Sequence, residues 1–137
     1  FWWYEPSGTP NYPTPISLST EGTYQTEHLA LEGRNSTASC LLKTANGGYN
    51  TITFDRIQNA WNFWAVSRNT SGVYTLYYNC ISKGTRTDTT SESGTYLLWG
   101  GNPSYKITGM LRDCMYFNGI ALTLPQLKAI YNATYIE

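Results

Sequence analysis

Short runs of alternating apolar and polar residues, separated by turn-forming residues, cover most of this chain. Such alternation is typical of strands that bury one face. It predicts strands at residues 38–43, 50–55, 61–68, 73–81, 96–99 and 105–117, the last of which can divide at Gly109. Turn-forming residues lie between several of them, at 46–48, 69–72 and 100–103. The pattern predicts a sandwich of short strands joined by hairpins.

The first 34 residues are less regular. They open on the aromatic run Phe1-Trp2-Trp3-Tyr4, which is typical of a strand, and then carry prolines at positions 6, 10, 13 and 15. Proline has no amide hydrogen to donate to a sheet ladder, so these residues predict a loop at a sheet edge. The Thr-rich alternating stretch that follows is predicted as a second strand.

One short helix is predicted near the end of the chain. Thr123-Leu124-Pro125-Gln126 has the form of a capping box, with proline in the first turn, where no amide partner is needed. Leu124, Leu127 and Ile130 or Tyr131 then fall on one face. We expect an amphipathic helix that ends near Asn132 and packs on the sandwich.

Composition and charge agree with one β-rich domain spanning residues 1–137. Charged residues make up 13% of the chain, compared with about 25% in an average soluble protein. Nine basic and nine acidic residues cancel, and the basic ones are scattered singly. This argues against a nucleic-acid partner, which a basic stripe would attract. No apolar run approaches the length of a membrane span.

The cysteines and the single histidine, His28, do not have the spacing of a metal site. Cys40, Cys80 and Cys114 are consistent with one disulfide plus a free thiol, or with three buried thiols. Three N-glycosylation sequons begin at Asn35, Asn69 and Asn132. In a chain so rich in Asn, Ser and Thr, sequons also arise by chance, so they permit glycosylation without arguing for it.

The second half of the chain carries five motifs in an order that resembles the laminin-G-like domains of the concanavalin A-like superfamily. They are Trp61-Asn62-Phe63-Trp64-Ala65-Val66-Ser67, Leu76-Tyr77-Tyr78-Asn79 with Cys80 in place of the usual glycine, Leu98-Trp99-Gly100-Gly101, residues 109–118, and residues 121–131. The resemblance implies an all-β fold: a two-sheet antiparallel jelly-roll sandwich with one short C-terminal helix. It says little about ligand, because one fold hosts many functions.

Most residues of these motifs are interpreted as architecture. Trp61, Trp64, Val66, Leu76 and Tyr116 are expected in the core, since every second side chain of a strand points inward. Asp113 is expected to bond to neighbouring backbone amides rather than to act as an acid or a metal ligand. The family implies that calcium binding is feasible, but the loops lack an acid cluster, so no cofactor is expected beyond at most a weak calcium site.

Catalysis is not expected. Glycoside hydrolysis ordinarily needs two facing carboxylates, and none of the nine acids forms the Glu-x-Asp-x-x-Glu strand of hydrolases that share this sandwich. Glu27 and His28 are adjacent, so on a strand they point to opposite faces.

Two non-enzymatic functions remain. The first is a glycan-binding or adhesive module, in which aromatic rings stack on sugars and amides or hydroxyls fix them. Its candidate residues are Tyr74, Tyr78, Trp99, Asn102 and Tyr105. The second is a structural subunit of a filament, fibre or capsid decoration, in which low charge permits close packing of copies. In either case we expect an extracellular, cell-surface or virion-surface location, with glycans, a receptor or further copies as partners.

The resemblance also implies a strand before the aromatic run, lying beside the C-terminal strand. We expect that strand to come from a longer parent chain or from a neighbouring copy, because an open sheet edge is normally covered.

Overall fold

The computed structural model describes residues 1–7, 13–19, 27–34, 39–43, 49–90, 96–101 and 106–135. Within these ranges the chain forms strands and one helix. The strands are β1 (Trp2–Glu5), β2 (Ile16–Ser19), β3 (Glu27–Arg34), β4 (Ser39–Lys43), β5 (Tyr49–Thr53), β6 (Ala60–Arg68), β7 (Val73–Tyr78), β8 (Ile81–Thr87), β9 (Tyr96–Trp99) and β10 (Met110–Arg112). The helix, α1, spans Leu124–Thr134.

The strands form two antiparallel sheets of five strands each. The order is β10-β1-β6-β7-β8 in the first sheet and β5-β4-β3-β2-β9 in the second. Strand β1 lies between β6 and β10, with Trp3 opposite Asn62 on one side and Leu111 on the other. The aromatic strand is therefore interior to its sheet, and among the described strands β10 is the outermost on this side.

The two sheets pack face to face around an aromatic core. The buried members are Trp3, Trp64, Leu76 and Tyr78 from the first sheet and Leu31 and Ile52 from the second. The rings of Trp64 and Tyr78 meet edge to face, with centroids 4.7 Å apart, a favoured geometry for aromatic pairs. The predicted mostly-β, two-sheet architecture is confirmed.

Helix α1 covers the other face of the first sheet. Leu127 is buried against Trp2, Phe63 and Cys80. Trp2 also stacks on Tyr131, with ring centroids 5.1 Å apart. Because successive residues of a strand point to opposite faces, Trp2 lies under the helix while its neighbour Trp3 lies in the core. Both faces of this sheet are consequently covered.

The start of α1 follows the predicted capping pattern. The Oε1 atom of Gln126 accepts from the backbone amide of Thr123 at 2.8 Å and from its hydroxyl at 2.9 Å. The first intrahelical bond runs from Leu127 N to Thr123 O at 3.0 Å. The predicted C-terminal helix is confirmed, and it extends two residues past Asn132.

Two predicted strands differ from the structure. Residues 73–81, predicted as one strand, form β7 and the start of β8, joined at Asn79 and Cys80 with φ of 49° and 59°. Two successive residues in the left-handed conformation form a tight hairpin turn, which the sequence Asn-Gly usually marks. Here Cys80 occupies the position of the glycine, so the sequence did not predict the turn. Of the described residues 106–117, only Met110–Arg112 form a strand, and the strand ends where Asp113 adopts φ 49°.

The motif at residues 109–118 is less buried than the family resemblance implies. Tyr116, expected in the core, is 56% exposed. Asp113 is paired with Arg112, whose Nη1 lies 3.2 Å from Oδ2. The stretch after the prolines, predicted as one strand, contains two, β2 and β3.

Candidate functional site

Two of the predicted glycan-binding residues, Tyr74 and Tyr78, belong to the interior. Their side chains are 1% and 3% exposed. The Tyr78 hydroxyl accepts from the backbone amide of Ile57 at 2.8 Å, and burial raises the pKa of that hydroxyl. Arg68 lies over the Tyr74 ring, with its guanidinium carbon 5.3 Å from the centroid. The Tyr78 ring is therefore not presented to a ligand at the surface. Tyr74, although almost inaccessible to solvent, is among the residues that line a cleft beside β6.

Trp99 is differently placed. It ends β9, is partly exposed, and meets the Phe1 ring edge to face with centroids 5.5 Å apart. It lies on the wall of the cleft beside β6. The other two candidates, Asn102 and Tyr105, lie outside the described residues.

A cleft of about 740 Å³ lies beside β6. Its walls include residues from both faces of that strand, Trp64 and Val66 from the core face and Phe63 and Ala65 from the helix face. The second sheet contributes mainly apolar side chains, among them Leu18, Leu31, Leu97 and Trp99. Leu127 and Ile130 of α1 close the helix side. We call this space the β6 cleft.

The outer wall of the β6 cleft is the connection between β10 and α1. Within it, Met115, Tyr116, Phe117 and Ile120 line the cleft and are all exposed. Several large apolar side chains exposed together are unusual on a soluble domain and generally mark a binding surface. Sequence reasoning missed this wall because it placed residues 105–117 in a strand.

Polar groups border the cleft next to the turn between β6 and β7. Ser67, Asn69, Thr70 and Asn118 line it there. The Asn69 side chain is engaged in its own turn, where Oδ1 accepts from the amides of Ser71 and Val73 at 3.0 and 2.9 Å. A ligand would therefore meet an apolar interior and a few hydroxyls and amides at the rim.

Arg68 also lines the cleft, but its guanidinium group is hydrogen-bonded within the fold. Its Nη2 donates to the carbonyl oxygens of Asp88 and Thr90 at 3.2 and 3.0 Å. These contacts with residues that follow β8 hold the guanidinium group over Tyr74. The charge of Arg68 therefore stabilises the fold and is not directed at a ligand.

A buried ion pair lies elsewhere in the first sheet. Nη1 of Arg56 donates to both carboxylate oxygens of Glu5 at 2.9 Å, and each side chain is 3% exposed. Burial raises the pKa of Glu5, and Arg56 offsets this in part. The pair lies apart from the β6 cleft and is enclosed by the fold, so its role is structural.

The cysteines and sequons have distinct environments. Cys80 is a buried free thiol and Cys114 an exposed free thiol, and burial raises the pKa of both. Neither forms a disulfide in the structure, and the side chain of Cys40 lies outside the described part. Asn69 and Asn132 are exposed, while Asn35 is not among the described residues.

The described ranges contain no group of three or more His, Cys, Asp or Glu side chains placed to hold a metal ion. Over the same residues, no helix is long and apolar enough to cross a membrane.

No protein-family model matches the chain, and no significant match to a curated protein is found.

Proposed function

We propose that this chain is a non-catalytic binding module and that the β6 cleft is its binding site. One observation carries the proposal: a cleft of about 740 Å³ whose outer wall exposes Met115, Tyr116, Phe117 and Ile120. Its size falls in the range of ligand sites, roughly 300–1,000 Å³, and such sites are mostly apolar with a few polar groups.

The finer fold assignment is part of this proposal. We infer a laminin-G-like jelly roll of the concanavalin A-like superfamily, supported by two five-stranded antiparallel sheets and by the order of the five motifs along the chain. An extracellular, cell-surface or virion-surface location goes with that assignment. Exposed Asn69 and Asn132, each in a sequon, are compatible with glycosylation.

Glycan binding or adhesion is the function proposed for the cleft. The accessible rings that could serve as stacking platforms are Trp99, Tyr116 and Phe117, and Tyr74 also lines the cleft. Thr70 and Asn118 supply a hydroxyl and an amide. Sugars combine apolar CH faces with hydroxyls, and this pairing of groups suits them. The alternative is a structural subunit that assembles with other copies, which the low charged fraction of 13% would permit.

The test compares two exposed tyrosines. Tyr116 lines the cleft, whereas Tyr96, which is 52% exposed on β9, does not. On a glycan array, binding should be lost in Tyr116→Ala and Trp99→Ala and retained in Tyr96→Ala. Equal binding by Tyr116→Ala and the unmodified chain would exclude the cleft as the glycan site.

A further inference from the structure

The turn between β6 and β7 carries one of the three sequons at its tip. Asn69, Thr70 and Ser71 form this tip, and all three are exposed. Backbone hydrogen bonds close the turn: Asn69 N donates to Val73 O at 3.0 Å, and Gly72 N donates to Asn69 O at 3.0 Å. Acceptor sequons in secreted proteins lie in surface loops, and this tip is a surface loop with a defined conformation.

The side chain of Asn69 is held by its oxygen atom alone. Oδ1 accepts from the backbone amides of Ser71 and Val73 at 3.0 and 2.9 Å. The Nδ2 group, which N-glycosylation modifies, has no hydrogen-bond partner among the described residues. The exposed Ser71 hydroxyl likewise has no partner in the described ranges. The acceptor nitrogen and the sequon hydroxyl are therefore both accessible to an enzyme in the folded chain.

The sequon at Asn132 is also exposed at its asparagine, but its other groups are engaged. Asn132 lies inside α1. The hydroxyl of Thr134 accepts from Nε1 of Trp2 at 2.7 Å and donates to Ile130 O at 2.8 Å. The carbonyl of Thr134 accepts from Nη1 of Arg112 at 2.9 Å. An enzyme that binds the sequon hydroxyl would have to unwind the end of the helix and separate it from the sheet.

We propose that Asn69 is the N-glycosylation site among the two described sequons and that the fold protects Asn132. The inference rests on the extracellular location proposed above, because the donor, an oligosaccharide linked through a diphosphate to a lipid, is encountered in the secretory pathway. In the reaction, Nδ2 of Asn69 forms a bond to the anomeric carbon of the donor sugar as the bond from that carbon to the diphosphate oxygen breaks. Nδ2 gives up one proton to a base of the transferring enzyme, and the lipid diphosphate leaves.

The modification is compatible with the turn that carries it. Glycosylation replaces one hydrogen of Nδ2 and leaves Oδ1 with its two hydrogen bonds. The adjoining ladder, in which Ser67 pairs with Thr75, is not involved. The glycan would extend from the hairpin tip into solvent and add a large hydrophilic group to a chain with 13% charged residues.

Glycosylation of the folded chain in vitro tests this assignment. The 137-residue chain, made without glycans in a bacterial host, is incubated with a purified oligosaccharyltransferase and a lipid-linked oligosaccharide. Mass spectrometry of proteolytic fragments then gives the occupancy of each asparagine. Asn69 should be modified and Asn132 should not. Synthetic peptides of residues 66–74 and 129–137, which lack the fold, should both be modified and so show that the enzyme accepts either sequence.

Two substitutions sharpen the comparison. Ser71→Ala removes the sequon hydroxyl but keeps the backbone amide that bonds Oδ1 of Asn69, so modification should be lost with no change in melting temperature. Ser71→Thr should retain it. Leu127→Ala weakens the packing of α1 on the first sheet and should allow modification of Asn132 while Asn69 remains modified.

The outcomes separate the site assignment from the proposed function. Equal modification of Asn69 and Asn132 in the folded chain would overturn the inference. An unmodified Asn69 alongside a modified peptide would also overturn it, by showing that the turn excludes the enzyme. Neither result affects the β6 cleft, because the glycan array uses the chain made without glycans. Loss of the cleft function on that array would in turn leave the assignment of Asn69 unchanged.

Discussion

Asn79 and Phe63 are joined by a pair of hydrogen bonds in which a side chain takes the place of a backbone group. The amide of Asn79 donates to the Phe63 carbonyl, and the amide of Phe63 donates to Oδ1 of Asn79, both at 2.8 Å. Asn79 has φ 49°, so its backbone departs from strand geometry while its amide oxygen continues the ladder. The turn between β7 and β8 is thereby fixed to β6.

Replacing Asn79 by glycine should destabilise the fold. Glycine tolerates positive φ, so Asn79→Gly removes the side-chain oxygen without adding backbone strain. Phe63 N–H then loses its partner, at a cost of about 1–3 kcal/mol. Cys80→Gly, at the second turn position with φ 59°, keeps both hydrogen bonds and should cost less. Urea denaturation measures both; equal losses would show that the turn is not held through Asn79.

The pattern of residues predicted some features well and others poorly for identifiable reasons. Strand β6, predicted at residues 61–68, spans Ala60–Arg68. The prediction succeeded because the alternation ends at a clear turn, in which Gly72 has φ 75°. Alternation also placed Tyr74 and Tyr78 together on one face of β7. It could not show that this face is interior, since both faces of the first sheet are covered, one by the second sheet and one by α1.

The β6 cleft could not be predicted from local pattern. Its walls come from β6, the second sheet, α1 and the connection before α1, and strand pairing such as that of Trp2 with Phe63 brings these segments together. Pairing between segments so distant in the chain depends on the complete fold, whereas periodicity and turn signals report only on neighbouring residues.

Stability should depend on pH through Glu5. Burial raises its pKa in the native state above the ordinary glutamate value, so the native state binds this proton more tightly than the unfolded state. The contribution is complete below the ordinary pKa and is lost as pH rises through the raised native pKa. Across that window the free energy of unfolding should fall with pH, and the fall should be absent in Glu5→Gln. If the difference between the two proteins increases with pH instead, pairing with Arg56 outweighs burial.

The docking of α1 can be tested within the helix itself. Leu127 is 4% exposed against the first sheet, whereas Leu124 is 36% exposed. Leu127→Ala should lower the free energy of unfolding by about 2–5 kcal/mol, as for other buried leucines, and Leu124→Ala by much less. Thermal or urea unfolding gives both values. Similar small losses would show that the helix does not bury Leu127 against Trp2 and Phe63.

Two glycines with positive φ allow the cost of a steric clash to be distinguished from the cost of backbone strain. Gly109 has φ 111°, and a Cβ atom there would overlap the carbonyl oxygen of Tyr4 in β1. Gly119 has φ 72° and nothing within 4 Å of its Cβ position. Alanine at Gly119 should therefore add only the left-handed strain of one residue, about 1–2 kcal/mol. Gly109→Ala should cost clearly more, because β10 must also move away from β1, and it should accelerate hydrogen exchange of the amides that join Tyr4 and Met110. Equal destabilisation by the two substitutions would mean that β1 and β10 do not approach as closely as the structure shows.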